Sequence, residues 1–315
     1  MNQRRIIYIL EPFSTPFGGV ATIYKHVELL AANGFPAYVL IREKPKVDFY
    51  QTTVPYLFGP IEPLASDICV VPESFPDILR ALKSTPAKRI MFCQSLIYLP
   101  FTEDPGDGIA EFGVHRIVVC SHALQNFFRD VYGVADLPLL PCAVDPKLFV
   151  PTAHKRRQIA LMPRRLPEDA KFIEATFKRR YPHYADIPWV PITGATQSAA
   201  AQVLGQSAVF LSLSSRESFG LPPLEAMSCG CLVAGYHGDG GREYMTAENG
   251  WWAEQGDWRG CGDGLAAAIA VFDEGGPELE SRRRAATETV ARYSPDRLEA
   301  ALTAFWGAEL AEPFP

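Results

Sequence analysis

The sequence predicts an α/β protein built as two doubly wound domains, each a mostly parallel sheet with helices on both faces. Three observations point there. Short apolar runs alternate with amphipathic segments along nearly the whole chain, which is the βαβ pattern of a parallel sheet. The alternation breaks at the turn-rich stretch Val144-Asp145-Pro146-Lys147-Leu148-Phe149-Val150-Pro151 and restarts at Gln158. The length of 315 residues suits two domains of roughly 150 residues each.

The first half reads as follows. Ile6–Leu10 is an apolar strand. A helix opens at Gly19-Val20, with Ile23, Tyr24, Val27, Leu30 and Ala31 on one face, and ends at Asn33-Gly34. Tyr38–Ile41 is the next strand, and Ile68–Val71, Ile90–Cys93 and Ile117–Cys120 are three more. Ser121 is the expected N-cap of a helix over His122–Tyr132 that Gly133 stops. Pro138–Pro141 reads as a last short strand. In the second half, strands are expected at Gln158–Met162, Trp189–Ile192, Val209–Leu213, Leu232–Ala234 and Gly250–Ala253. Helices are expected at Asp169–Arg180, Thr196–Leu204, Arg282–Arg292 and Pro295–Glu309. The boundaries that follow are an N-terminal domain over 1–150, a second over 151–294, and a terminal helix over 295–315.

Composition narrows the function. A chain that is 48% hydrophobic with a net charge of −6 can bury a core and has no overall attraction to nucleic acid. The basic clusters at Lys155-Arg156-Arg157, Lys178-Arg179-Arg180 and Arg282-Arg283-Arg284 read as solvated faces. Seven cysteines, odd in number and without zinc-type spacing, read as reduced, buried thiols. Cys229-Gly230-Cys231 reads as packing around a helix-ending glycine. No secretory leader and no run of about 18 apolar residues is present. The chain is therefore expected in the cytoplasm, with attachment to the inner face of a membrane left open.

The stretch Ser214–Met227, SSRESFGLPPLEAM, carries the chemistry. Glu217 and Glu225 are eight residues apart around a Phe219-Gly220-Leu221 turn and a Pro222-Pro223 helix start. An apolar strand runs into this loop, so it lies at the carboxyl end of a parallel strand, where open α/β sheets bind ligands. Proline suits a first helical turn, and the amides before it are free to meet an anion at the positive helix end. Glu225, in the first turn, can accept hydrogen bonds from vicinal hydroxyls or simply cap the helix. Glu217 lies on the preceding loop. Two acids beside a phosphate-friendly helix end suit a ligand with both hydroxyls and phosphates, such as a nucleotide sugar.

The segment from Glu217 through Met227, continued by Cys229-Gly230, resembles the signature of retaining GT-B glycosyltransferases of family 4 (group 1), close to E-S/G-F-G-L-P-P-L-E-A-M-A-C-G. The resemblance extends to Phe17-Gly18-Gly19-Val20, Val118-Val119-Cys120-Ser121, Val144-Asp145 to Phe149, and Gly240-Gly241-Arg242-Glu243 with Asn249-Gly250. It implies a GT-B fold with two Rossmann-like domains facing a central cleft. The C-terminal helix would cross back to the first domain.

The same resemblance assigns roles. Glu225 would bind the nucleotide ribose and Glu217 would face the donor sugar. Ser218, Phe219, Gly220 and Leu221 would line the donor. Gly18 and Gly19 would let backbone approach the diphosphate. Relatives supply an Arg and a nearby Lys after the first strand of the second domain; here Arg165 and Lys171 fit, with Arg164 adjacent, although Pro163 stands where Gly is usual. Many relatives place a His after a central strand of the first domain, where this chain has Gln94, which hydrogen-bonds but cannot be protonated. His115 and His122 read as structural or surface groups.

The implied activity is metal-independent, front-face transfer of a hexosyl or deoxyhexosyl group from a nucleotide-diphosphate sugar to a hydroxyl of a glycan or lipid-linked acceptor, with no cofactor. Acceptor recognition would fall to the loops around Pro45–Pro60 and Leu96–Gly113. The alternatives are a GT-B epimerase or phosphorylase, or a non-catalytic nucleotide-sugar-binding protein. A dinucleotide-dependent dehydrogenase is disfavoured, because Gly18-Gly19 does not supply the G-x-G-x-x-G turn. The sequence does not indicate an oligomeric state.

Overall fold

A computed structural model describes residues 4–104 and 106–312. The chain forms two compact units, Met1–Cys142 together with Asp296–Pro315, and Ala143–Pro295.

In chain order the first unit contains β1 (Ile6–Leu10), α1 (Gly18–Ala32), β2 (Ala37–Ile41), β3 (Tyr56–Phe58), β4 (Ile68–Pro72) and α2 (Pro76–Leu82). It continues with β5 (Lys88–Cys93), α3 (Leu99–Thr102), β6 (Arg116–Val119) and α4 (His122–Tyr132). All strands are parallel, in the order β3-β2-β1-β4-β5-β6. Every residue of β1 and β4 is buried, as expected of central strands covered on both faces. The start and stop of α4 follow its local chemistry. Ser121 Oγ accepts from the Leu124 amide at 3.2 Å, and Gly133 takes the left-handed conformation, φ 66°.

The C-terminal helix Pro295–Ala311 belongs to this first unit. Trp306 is fully buried beside Tyr8, with ring centroids 6.4 Å apart. Near its end Glu309 is buried and pairs with Lys88 at 2.6 Å and with Arg116. The Arg4 guanidinium donates to the Leu310 carbonyl at 2.9 Å. Beneath this helix His26 is fully buried against Tyr8 and Phe92, and burial drives its pKa down to about 3, so it stays neutral.

The second unit contains β7 (Arg156–Leu161), α5 (Pro167–Arg180), β8 (Trp189–Pro191), α6 (Gln197–Gln206), β9 (Ser207–Ser214) and α7 (Leu221–Ser228). It ends with β10 (Leu232–His237), α8 (Gly238–Gly241), β11 (Trp251–Ala253), α9 (Trp258–Glu274) and α10 (Gly276–Ala291). Its sheet is parallel, in the order β11-β10-β9-β7-β8. Strand β9 is central and buried along its whole length. Its core includes Ile159, Ile173, Phe177, Leu211, Leu265 and Ile269. Gly235 in β10 has φ 127°, and a Cβ there would fall 2.2 Å from the Ser212 carbonyl oxygen, so only glycine fits.

Three departures from the sequence reading have local causes. Pro138–Pro141 is not a strand. It makes a single parallel bridge, Val119 to Leu139, because its two prolines have no N–H with which to extend the ladder. The strand β3 was hidden by its length of three residues and by the flanking Pro55 and Gly59-Pro60. Helix α2 starts at Pro76 without a side-chain cap, so the usual N-terminal signal is missing. All seven cysteines are buried and free of disulfides.

Candidate functional site

The candidate residues fall into two groups, one in each unit.

In the second unit, β9 delivers the chain to the loop 215–220, which turns into α7. Arg216 takes a left-handed conformation, φ 47°, unusual for a residue with a side chain. This reverses the chain just before Glu217. Glu217 then pairs with Arg165 from the loop after β7, Nε to Oε1 at 2.8 Å. Desolvation raises the Glu217 pKa, and the charges of Arg165 and Arg164 oppose that rise. Arg165 spends only its Nε on this pair. Its Nη groups make no other ion pair or hydrogen bond among the described residues, so four of its N–H donors remain for an anion.

The loop is held from behind. The Gly240 amide donates to the Glu217 carbonyl at 2.7 Å. A Cβ on Gly240 would lie 2.0 Å from the Ser218 carbonyl oxygen, so the two backbones touch. Phe219 is not a ligand-facing ring. It is 3% exposed and packs on Tyr244 and Tyr293, with centroids at 5.4 and 4.9 Å. Tyr244 also donates its hydroxyl to the Gly220 carbonyl. Gly220 is the left-handed N-cap of α7, with φ 88°. The helix starts at Leu221, so Pro222 and Pro223 occupy its second and third positions and remove two of its free donors. The amides of Gly220 and Leu221 remain at that end.

This start corrects the sequence reading in one respect: Glu225 is the fifth residue of α7 and lies beyond its first turn. Its carboxyl makes no hydrogen bond or ion pair among the described residues, and burial pushes its pKa up to about 7. Lys171 lies apart. It sits on the outer face of α5, 75% exposed and 3.3 Å from Glu168, and makes no contact with Glu217. His237 is engaged locally, with Nδ1 2.7 Å from the Gly238 carbonyl and Nε2 3.2 Å from Glu254.

In the first unit, Gly18 and Gly19 open α1 and Gln94 follows β5. A Cβ on Gly19 would stand 3.2 Å from Gln94 Nε2, so the carboxamide lies directly over the glycine. The Gln94 amide in turn donates to Glu73 Oε2 at 3.0 Å. Glu73 follows β4, is 2% exposed, and is pushed by burial up to about 7. Sequence reasoning missed Glu73 because nothing in Val71-Pro72-Glu73-Ser74 marks it as buried. It also missed Tyr244 and Tyr293, whose role appears only when α8 and the end of α10 come together behind Phe219. Among the described residues no group of three or more His, Cys, Asp or Glu could hold a metal ion.

Two parallel α/β units of this kind define the GT-B fold, and solved structures agree. A glycosyltransferase from Rickettsia africae matches with a TM-score of 0.72 at 14% identity, over 99% of this chain and 100% of that one. Anabaena Alr3699/HepE, solved in complex with UDP and glucose, matches with a TM-score of 0.72 at 12% identity, over 97% and 100%. Residues 190–287 match the family model described as "Glycosyl transferases group 1". The chain is also 27% identical over 281 residues to an alpha-1,6-glucosyltransferase of Actinobacillus pleuropneumoniae serotype 7, covering 85% of this chain and 84% of that protein. The protein is a glycosyltransferase of GT-B architecture. No helix among the described residues is long and apolar enough to cross a membrane.

Proposed function

We propose that the protein transfers glucose from UDP-glucose to a hydroxyl of a glycan, with retention at the anomeric carbon and without a metal. The observation that carries this reading is the Arg165–Glu217 pair at 2.8 Å beside the capped start of α7. One group there can take the negative charge that develops on a leaving diphosphate. The other can take the positive charge that develops on a sugar. The glucose donor is supported by the relative that is an alpha-1,6-glucosyltransferase and by a neighbour solved with UDP-glucose.

In this reading the Arg165 Nη groups and the Gly220 and Leu221 amides bind the diphosphate, with Arg164 adding charge. Preorganised donors of this sort contribute roughly 3 kcal/mol each. The Glu225 carboxylate accepts from the ribose hydroxyls. Gly18, Gly19 and Gln94 belong to the donor from the first unit. The bond from the anomeric carbon to the β-phosphate oxygen breaks and its electrons leave with UDP. The acceptor oxygen bonds to that carbon on the same face, and its proton passes to the departing phosphate. Glu217 orients the sugar and faces its developing charge. Lys171, on the outer face of α5, is proposed as an outer cation for the diphosphate rather than a partner of Glu217.

The test is incubation with UDP-glucose and a panel of glycans, with UDP release followed by coupled assay and the product's anomeric configuration read by NMR. An α-linked product formed in the presence of a chelator supports the reading. A β-linked product, or activity that requires an added divalent cation, overturns it.

A further inference from the structure

We infer that the loop after β5 is a docking platform for an uncharged saccharide acceptor, whose sugar faces stack on Tyr98 and Phe101. The inference rests on the reading above that a glycan is the acceptor, and it names that glycan's class.

The first observation is exposure. Tyr98 is 45% and Phe101 79% exposed, although Tyr98 caps and Phe101 lies within α3, in a segment that is otherwise fastened down. Leu99 between them is 1% exposed, and Phe112 beyond them is fully buried. Arg80 donates to the Thr102 carbonyl at 2.6 Å and pairs with Glu111 at 3.0 Å. The Thr102 hydroxyl donates to the Tyr98 carbonyl at 3.0 Å. Aromatic rings facing water contribute nothing to the core, but on a fastened backbone they can bind without reordering the chain that carries them.

The second observation is position. Among the described residues five aromatic side chains are exposed: Phe17, Phe58, Tyr98, Phe101 and Phe172. Four of them lie at the carboxyl ends of strands in the parallel sheet of the first unit, after β1, at the end of β3 and after β5. Gly18, Gly19 and Gln94 are on the same edge, and Tyr98 is four residues beyond Gln94.

The third observation is charge. Residues 96–113 contain Glu103, Asp104, Asp107 and Glu111 and no Lys or Arg; Arg80 of α2 pairs with Glu111, and the net charge stays negative. An anionic glycan or an anionic lipid surface would be repelled there. A neutral sugar suits both features: its C–H face meets the electron-rich face of a ring, and its hydroxyls donate to carboxylates.

The experiment uses the full-length protein and its Tyr98→Ala/Phe101→Ala variant. Saturation-transfer NMR with maltotriose, cellotriose and chitotriose reads acceptor binding without any donor. The expected result is transfer from protein aromatic protons to at least one of these sugars, lost in the variant, with Tyr98→Phe/Phe101→Tyr retaining it. In the transfer assay the variant's KM for the acceptor rises about tenfold while its KM for UDP-glucose stays. Three results would overturn the platform: no sugar signal with the wild type, a signal that survives the double substitution, or wild-type binding to vesicles rich in anionic lipid that the substitution abolishes. If UDP-glucose is not used at all, the donor reading fails by itself, and the NMR measurement still decides the platform.

Discussion

The two loops that carry candidate residues, one in each unit, are stiffened by opposite means. In the second unit, 215–220 is held by a charge pair, by a glycine backbone in contact with the Ser218 carbonyl, and by two aromatic rings, Tyr244 and Tyr293, behind its own Phe219. In the first unit no ion pair joins Gly19 or Gln94 among the described residues. A neutral carboxamide lies over a glycine, and a buried acid holds the loop from below. The contrast separates two tasks. Charge that changes during a reaction needs fixed countercharge, which the second-unit loop supplies in Arg165 and Glu217. A surface that admits a ligand's backbone-sized groups needs small residues and neutral donors, which the first unit supplies.

The largest effect should come from the charge pair. Glu217→Gln keeps shape and removes charge, and kcat should fall about 100- to 1,000-fold with little change in UDP affinity. Adding Arg165→Ala should cost less than the two single losses combined, because the two groups act as a unit. Additive losses in steady-state kinetics would show that they work independently. Next comes Gly240→Ala. Its Cβ would fall 2.0 Å from the Ser218 carbonyl oxygen, so the loop must move, at a cost of about 1–3 kcal/mol in stability. It should also lower kcat by more than tenfold, since a misplacement of about 1 Å can cost 100-fold. The same substitution at Gly19 meets only the Gln94 side chain at 3.2 Å, which can swing aside. A change of about threefold or less in KM for UDP-glucose is expected. Equal losses at the two glycines would erase the distinction between the loops.

How much of this was legible in the sequence follows the same division. The second-unit loop could be read because its constraints are local. Gly220 before Leu221-Pro222-Pro223 announces a helix start, and two acids on either side of it announce a polar ligand. The central strands were legible as apolar runs, and the limits of α4 from Ser121 and Gly133. What could not be read depends on contacts between distant segments. The burial of Glu73 is set by strand order, and the aromatic support of Phe219 comes from residues 25 and 74 positions further along. The sequence offered Arg165 and Lys171 as a pair of nearby cations, with Arg164 adjacent. The start of α5 at Pro167 turns Lys171 onto an exposed helical face while Arg165 stays on the loop beside Glu217.

A smaller effect is expected at Glu225, whose carboxyl has no protein partner among the described residues. Glu225→Ala should weaken UDP binding about tenfold by isothermal calorimetry, the usual loss when a charged hydrogen-bond partner is removed. Unchanged affinity would remove its ribose role and leave it a helix residue only.

The last prediction concerns pH and the first-unit loop. Glu73 is 2% exposed, and burial lifts its pKa from the ordinary 4.5 to about 7. The folded protein therefore binds this proton more tightly than the unfolded chain does. Between pH 4.5 and 7 the native state holds more protons than the unfolded state, so stability must fall as pH rises through that window. The contribution is fully present below pH 4.5 and gone above about 7, and it amounts to on the order of 3 kcal/mol. Glu73→Gln stays neutral throughout, so its Tm should decline less than the wild type's between pH 5 and 7.5. The Gln94 backbone amide keeps an oxygen to donate to in the variant, and the comparison rests on the slope of Tm with pH, not on its absolute value. If the two pH profiles run parallel, the carboxylate is better solvated than its burial implies, and the first-unit edge would then rest on charge as the second-unit loop does.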